Sequence, residues 1–200
     1  MKYVKWFFFA IIDLLFNIIA YLTNPLVLLF ADEVGNLPKI FLWWANWDDH
    51  LDVDWMIYEH HVPKWAEYDF NRHYKYYDEW EAEKTIGEHR GYVELLDPHF
   101  TLKERFQRYV CRLVWLYRNC AYGFSYYVTG MDVYGKDVRK VIDTKEIFFY
   151  ETDYSWVYSN SSKSFIKGHR WKIFLGWKMQ ATAEKDKEHC MLAFCVNPWK

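Results

Sequence analysis

The feature that most constrains this chain is an apolar run near its N-terminus, residues 5–30, KWFFFAIIDLLFNIIAYLTNPLVLLF. Residues 6–22 approach the roughly 20 residues that a helix needs to cross a bilayer. Asp13 opposes insertion by about 2.5–3.5 kcal/mol, whereas each Phe, Ile or Leu favours it by about 0.3–0.6 kcal/mol. Asn17 lies four residues after Asp13 and therefore shares its helix face. The run predicts a membrane-embedded or interfacial anchor whose polar face meets protein, water or headgroups.

The same run leaves its exact placement open. It could cross the membrane, lie on it, or form a buried helix of a soluble core. The triplet Thr23-Asn24-Pro25 predicts the end of the helix, because a residue before proline is pushed out of the helical region. If the run spans, Lys2 and Lys5 place the N-terminus in the cytoplasm. No A-x-A-like cleavage site follows, so we expect an uncleaved anchor.

The composition excludes a disordered chain and supplies ample material for a core. Apolar residues make up 52% of the sequence and aromatic residues 22%, including 12 Trp and 17 Tyr. Such rings collect at protein and membrane interfaces, because each has an apolar body and a polar tip. Trp43 and Trp44 follow a loop signal at residues 35–38. They suit a membrane–water boundary and a packed core equally well.

Charge is distributed unevenly along a chain whose formal net charge is −2. Residues 31–100 contain 16 acidic and 6 basic side chains, whereas residues 101–200 contain 17 basic and 10 acidic ones. The two halves could neutralise each other by folding together. Alternatively, the basic half could face an anionic surface.

A capping box, Thr101-Leu102-Lys103-Glu104, predicts the start of a helix over residues 101–119. The spacing assigns one apolar face to it, formed by Leu102, Phe106, Tyr109, Leu113 and Leu116. Three arginines form a stripe beside that face, and a fourth follows at the helix end: Arg105, Arg108, Arg112 and Arg118. Such a helix can lie at an anionic surface, although a core helix with a solvated side has the same pattern.

From Tyr122 onwards, short β-rich runs separated by turn signals predict an antiparallel sheet, and YGFSYYVT is the first of these runs. The predicted fold class is α+β. Its segments are an anchor (1–30), an aromatic, acidic and mostly helical region (31–120), and a sheet (121–200) that packs with the second segment as one domain. The four cysteines contain no C-x-x-C pair, so neither a zinc ribbon nor a disulfide scaffold is expected.

An acidic cluster offers the clearest candidate metal site. Its members are Asp48, Asp49, His50, Asp52 and Asp54. Carboxylates this close can bind Ca²⁺ or Mg²⁺, and a metal-dependent hydrolase could be built on them. The cluster lacks the calcium-loop spacing, and the adjacent His60 and His61 point apart on any regular element. Solvated turn residues are therefore the preferred interpretation.

Recognisable catalytic and cofactor-binding motifs are absent from the sequence: it has no G-x-S-x-G, P-loop or G-x-G-x-x-G. We therefore expect a protein that is not an enzyme and that needs no cofactor. A further alternative is a nucleic-acid-binding module, in which aromatic rings of the sheet stack on bases beside basic side chains. Its candidate residues are Lys163, Lys167, Arg170, Trp171, Lys172, Trp177 and Lys178. No RNP signature supports that alternative.

Several phrases together resemble an uncharacterised family of proteins from tailed phages and prophages of enteric bacteria. They are LTNPLVLLFADEVGNLP (22–38), LDVD (51–54), WLYRNCAYGF (115–124), GWKM (176–179) and NPWK (197–200). Val53 departs from the pattern, where a small turn residue, usually Gly, is expected. The resemblance implies a phage-encoded accessory protein and supplies no catalytic residues.

These observations predict a membrane-associated, non-catalytic protein that acts at the bacterial envelope. A partner helix or a second copy is expected to cover Asp13 and Asn17, since a polar face is costly to leave in lipid. The arginines of the 101–119 helix and the aromatic sheet would supply a recognition surface for a host or phage protein.

Overall fold

The computed structural model describes residues 1–45, 51, 63–77, 81, 84, 92–179 and 187–199. Among these residues the chain forms an N-terminal apolar helix, further helices and antiparallel sheets, which confirms the α+β class. The chain divides into two compact units, residues 1–15 with 124–200 and residues 16–123. The first helix is therefore shared, its N-terminal half belonging to one unit and its C-terminal half to the other.

Helix α1 extends over Lys2–Val27 and continues as a 3-10 turn over Leu28–Phe30. The expected break at Thr23-Asn24-Pro25 is wrong, since Pro25 lies inside the helix. Tertiary contacts explain the continuation: the buried Asn24 side chain donates to the Leu116 carbonyl at 3.4 Å, and the Tyr109 hydroxyl donates to the Pro25 carbonyl at 2.8 Å. These contacts hold the helix on both sides of the proline's missing N–H.

The unit formed by residues 16–123 is mainly helical. It contains a short helix α2 at Phe70–His73, a hairpin-like pair of strands β1 (Tyr74–Tyr77) and β2 (Tyr92–Leu95), and helix α3 at Leu102–Arg118. Three-residue 3-10 turns occur at Lys39–Phe41 and Lys64–Ala66. The predicted capping box is confirmed: the Thr101 hydroxyl accepts from the Glu104 amide, and the Glu104 carboxylate accepts from the Thr101 amide.

Helix α3 packs only partly on the predicted face: Leu116 is buried, and Tyr109 and Leu113 pack against the same core, but the first two predicted positions are not covered. Leu102 is 86% exposed and Phe106 58%, whereas the buried positions are Gln107, Cys111, Arg112, Trp115 and Leu116. The error has a physical cause, because the buried polar residues are satisfied by backbone carbonyls. The Gln107 amide, for example, donates to the carbonyls of Trp65 and Glu67. Apolar spacing alone cannot anticipate such partners.

The segment YGFSYY is a helix, α4 (Tyr122–Tyr127), where the sequence predicts a strand. Ala121 has a φ of 58° and separates α4 from α3. Gly123 explains why the chain packs so closely here: its amide donates to the Ala45 carbonyl at 2.8 Å, and a Cβ at this position would overlap the Leu42 carbonyl. The β propensity of the aromatic residues yields to this tertiary context.

The unit formed by residues 1–15 and 124–200 is dominated by strands. β3 (Met131–Val133) pairs with β8 (Glu188–Cys190). A five-stranded antiparallel sheet has the order β4-β5-β6-β7-β9. Its strands are β4 (Arg139–Asp143), β5 (Ile147–Glu151), β6 (Trp156–Asn160), β7 (Lys172–Trp177) and β9 (Leu192–Asn197). A 3-10 turn, Gly135–Asp137, precedes β4.

Each unit buries its own apolar residues. In the strand-rich unit, Trp156, Val157, Trp177 and Leu192 form the core together with Ala10 of α1. In the helical unit, Leu28 packs with Leu51, Trp115 and Leu116. None of the four cysteines, all of which lie in the described part of the chain, forms a disulfide.

Candidate functional site

The side of α1 that faces away from the rest of the chain is apolar along its whole length, and we call it the outer face. Its exposed large side chains are Tyr3, Val4, Phe7, Phe8, Ile11, Ile12, Leu14, Leu15, Ile18, Ile19, Tyr21, Leu22, Leu26, Leu29 and Phe30. Among residues 1–30, all of which are described, Lys5 is the one charged residue in the exposed class. Proteins in water rarely expose a contiguous apolar surface of this length.

The opposite side of α1, the inner face, carries the polar residues. Asp13 is 8% exposed, and its carboxylate accepts hydrogen bonds from the Ser125 hydroxyl at 2.6 Å and from the Thr129 hydroxyl at 3.4 Å. Both donors belong to the same unit as Asp13. The expectation that a partner helix must cover Asp13 is therefore corrected, because the chain's own hydroxyl groups already do so.

The second half of the inner face is also held by the chain itself. Asn17 is half-buried, and its backbone carbonyl accepts a contact from the Cys120 thiol at 3.7 Å. The Thr23 hydroxyl accepts from the Trp44 indole N–H at 2.8 Å. Asn24 is 1% exposed. The inner face thus holds Asp13 and Asn24 among buried apolar residues, while the exposed side is apolar apart from Lys5, which is unlike the polar exposed side of a helix in a soluble protein.

The two lysines near the start of α1, Lys2 and Lys5, have different surroundings. The Lys2 ammonium donates to the Glu151 carboxylate at 2.5 Å and to the Thr152 carbonyl at 2.8 Å. This hydrogen bond lowers the pKa of Glu151 below its ordinary value. Lys5 instead remains exposed, with its ammonium 5.4 Å from the centre of the Phe9 ring. One of the two predicted flanking cations is therefore a structural residue.

The predicted boundary tryptophans pack edge-on against Phe16. Their ring centres lie 5.7 Å (Trp43) and 4.9 Å (Trp44) from that of Phe16. Trp43 remains 46% exposed, next to Ile40 at 80%. Trp44 is half-buried with its N–H bonded to Thr23, so it acts in the fold. Trp43 retains a position suited to a membrane–water boundary.

The predicted arginine stripe separates into structural and exposed members. Arg112 is 5% exposed and donates to the carbonyls of Asp32 and Glu33 at 2.9 and 3.2 Å. Arg108 donates to the Tyr74 hydroxyl at 2.8 Å. These two side chains fasten the turn after α1, and this is a correction to their predicted role in partner binding. Arg105 and Arg118 are exposed.

The proposed metal ligands cannot be placed. The acidic cluster (Asp48, Asp49, His50, Asp52 and Asp54) lies outside the described residues, as do His60 and His61. His73 is described and fully buried, with Nδ1 2.8 Å from the Asp97 carbonyl and Nε2 3.4 Å from Glu104. Within the described ranges, no group of three or more His, Cys, Asp or Glu side chains is arranged to hold a metal ion.

The nucleic-acid alternative loses one of its central residues. Trp177 is fully buried and donates its indole N–H to the Thr129 carbonyl at 3.0 Å, so it cannot stack on a base. Arg170 is paired with Glu146 at 2.5 Å. Trp171 is half-buried and lies 5.4 Å from Phe165, ring centre to ring centre.

Sequence reasoning identified Asp13 but missed Ser125 and Thr129. Their hydroxyls lie 112 and 116 positions further along the chain. A partial signal was available, since Ala10, Asp13, Phe16, Ala20 and Asn24 recur at helical spacing and are all buried. That spacing marks the inner face without revealing what covers it.

The fold and the outer face together define an α+β protein whose N-terminal helix is long and apolar enough to cross a membrane. The chain belongs to a family of unknown function, DUF7338, whose model matches residues 1–200. No curated protein and no solved structure matches it.

Proposed function

We propose that this protein is a membrane-associated, non-catalytic accessory protein, encoded by a phage or prophage and acting at the inner membrane of its bacterial host. The observation that carries the membrane assignment is the reversed polarity of α1. Polar groups such as Asp13 and Asn24 turn inwards, while Ile18, Leu22 and their neighbours on the outer face turn outwards. In lipid, polar side chains face protein and apolar ones face the hydrocarbon.

The phage assignment rests on the resemblance of the phrases LTNPLVLLFADEVGNLP and WLYRNCAYGF to phage and prophage proteins. Parts of these two phrases contact each other in the helical unit, where Asn24 donates to the Leu116 carbonyl. The phrases therefore describe a structural element, which agrees with a role that needs no catalytic residues. Host takeover, counter-defence and exclusion of competing phages are the roles that such an accessory protein could serve.

A protein partner would find its most suitable surface on the first two turns of α3. Leu102, Arg105 and Phe106 are all exposed there. The Phe106 ring stacks against Trp65, itself 59% exposed, with ring centres 6.1 Å apart. Arginine and aromatic side chains dominate binding hot spots. We propose this surface, in place of the Asp13 and Asn17 face, for contact with a host or phage protein.

Membrane association is tested by flotation of the full chain expressed in bacteria. The protein should rise with the membrane fraction in a density gradient and enter solution only with detergent. A protein that stays in the soluble fraction after ultracentrifugation without detergent would refute the membrane assignment.

The accessory role is tested by deleting the coding region from the phage that carries it. An accessory protein should be dispensable for plaque formation on a permissive host and needed only on particular strains. A deletion that abolishes plaques on every host would instead indicate a structural or lysis component. Complementation with the intact coding region supplies the control.

A further inference from the structure

We infer that α1 lies in the plane of the membrane without crossing it, and that its outer face is embedded in a bilayer containing anionic phospholipid. This inference rests on the proposed membrane function and specifies its geometry. Successive residues of an α-helix are rotated by about 100°, and on that basis the residues of the outer face cover roughly half of the helix circumference. The other half is covered by the chain's own segments in each of the two units.

The first reason concerns what accompanies α1. In the helical unit, residues 17–25 lie beside the C-terminal half of α3: the Tyr21 and Tyr117 rings stack with centres 5.0 Å apart, and the Cys120 thiol contacts the Asn17 carbonyl. Arg118 lies between these contacts and is exposed. If α1 crossed the bilayer, Asn17 would lie close to the midplane, and Arg118, two residues before the Cys120 that contacts it, would have to leave water, which is unfavourable for a charged side chain.

The second reason is the sheet that accompanies the other half of α1. The Trp6 indole N–H donates to the Ala193 carbonyl of β9 at 3.3 Å. β9 is an edge strand of the five-stranded sheet, and the opposite edge, β4, is exposed throughout and includes Arg139 and Lys140. Open sheet edges do not occur in the hydrocarbon region, since their backbone groups would lack partners. A helix lying in the interface keeps the sheet in water.

The third reason is the border of the outer face, which suits headgroups. Along one long side of α1, Lys5 is exposed and Trp43 packs on Phe16. Along the other side, Tyr21 stacks on Tyr117, next to Arg118. Tryptophan and tyrosine favour the membrane–water boundary, and lysine and arginine complement anionic headgroups. Because the acidic residues 32–33 are also exposed just after the outer face, the border aromatic rings, more than net charge, favour lipid over a second copy of the chain.

The orientation is tested by labelling native lysines with a membrane-impermeant amine reagent, followed by mass spectrometry. Exposed Lys103 reports on the helical unit and exposed Lys167 on the strand-rich unit. A helix in the membrane plane predicts that both lysines react from the same side, in inverted vesicles and not in sealed right-side-out ones. Reaction of the two lysines from opposite sides, in a protein that floats with membranes, would overturn the in-plane geometry and leave the membrane assignment intact.

Insertion of the outer face is tested with purified protein and vesicles of phosphatidylglycerol and phosphatidylcholine. Ile18→Asp should lower vesicle binding by about tenfold or more, since a carboxylate would enter the acyl boundary. Leu96→Asp is the matched control: this leucine is 53% exposed after β2, away from α1, and should be replaceable without loss of binding. Near-ultraviolet circular dichroism confirms that both variants keep their fold. Unchanged binding of Ile18→Asp would overturn the proposal, because something other than lipid would then cover the face.

Discussion

Asp13 illustrates how a single residue changes meaning once its surroundings are known. In the sequence it is a penalty against membrane insertion. In the fold it accepts hydrogen bonds from Ser125 and Thr129 on the covered side of α1. Its carboxylate therefore joins α1 to Ser125 in α4 and to Thr129 just after it, within one unit. A buried acceptor of this kind contributes mainly through the cost of removing it.

Replacement of Asp13 should destabilise the protein without a direct effect on lipid contact. Asp13→Leu removes the acceptor of the buried Ser125 hydroxyl, whereas the Thr129 hydroxyl keeps the Ser125 carbonyl, and we expect a loss of about 1–3 kcal/mol in the free energy of unfolding. Asp13→Asn keeps an oxygen at the same place and should lose less. Denaturant unfolding in detergent measures both variants. Equal stability of Asp13→Leu and the wild type would show that these hydrogen bonds contribute nothing.

Two glycines allow backbone strain to be separated from steric overlap. Gly176 in β7 has a φ of 104°, and a Cβ there would overlap the Trp156 carbonyl oxygen. Gly168 has a φ of 84° with open space around it. Gly168→Ala should therefore cost only the left-handed backbone, about 1–2 kcal/mol. Gly176→Ala should cost clearly more, because its neighbour is backbone and cannot move aside. Thermal unfolding of the two variants gives the comparison, and equal losses would contradict it.

Among the helices and strands, α3 shows most clearly which stabilising interactions are local in sequence. Its N-terminus is fixed by hydrogen bonds between Thr101 and Glu104, three residues apart. These bonds, with a contribution from the nearby His73, lower the pKa of Glu104 to about 2. A carboxylate held in this way also complements the positive end of the helix dipole.

Loss of the cap should weaken α3 and change the response of the protein to acid. Thr101→Ala removes the hydroxyl that caps the helix and should cost about 1 kcal/mol at pH 7. Because the pKa of Glu104 is lower in the folded protein, its stabilising effect is complete above pH 4.5 and disappears as the pH falls towards 2. Glu104→Gln should therefore lose stability at pH 7 and depend less on pH between 4.5 and 2. Urea unfolding at several pH values tests this, and parallel pH profiles for Glu104→Gln and wild type would refute it.

The same element shows how far the sequence can be used. The capping box was readable because both partners lie within one turn. The packed face of α3 was predicted only in part: Leu116 is buried as expected, whereas Gln107 and Arg112 are buried against backbone carbonyls of distant segments, which apolar spacing does not reveal. The strand predicted at residues 122–127 is a helix for a similar reason, since local β propensity competes with close packing at Gly123. The antiparallel character of the sheet, set by short runs and turns, was predicted correctly.

For the whole molecule, the outer face of α1 is the feature that can be predicted in part from the sequence. The apolar run and the polar residues Asp13 and Asn17 within it can be read directly from the sequence, and they lead to the prediction of a membrane anchor. The partners of those polar residues cannot, because Ser125 and Cys120 are more than a hundred residues away. The sequence predicts residues 1–30 as a separate anchor segment, whereas in the structure α1 contributes to both compact units.

The net charge of the chain leads to a final prediction about what holds it on a membrane. At −2 the molecule as a whole gains no long-range attraction to anionic lipid. Only the few exposed cations at the border of the outer face, such as Lys5, should favour anionic headgroups, each by about 1 kcal/mol at low salt. Apolar insertion is insensitive to screening, whereas headgroup attraction falls off once the Debye length shrinks to about 3 Å at 1 M salt.

Vesicle binding should therefore persist in 1 M salt while its preference for phosphatidylglycerol over phosphatidylcholine disappears. Lys5→Gln should weaken that preference at low salt and leave high-salt binding unchanged, since it removes charge without altering the apolar residues of the outer face. Ile18→Asp should show the opposite pattern, with binding reduced at every salt concentration. Cosedimentation with the two kinds of vesicle, at low and at 1 M salt, distinguishes them. Complete release of the wild-type protein by salt would mean that surface charge holds it, and that the apolar side of α1 does not enter the bilayer.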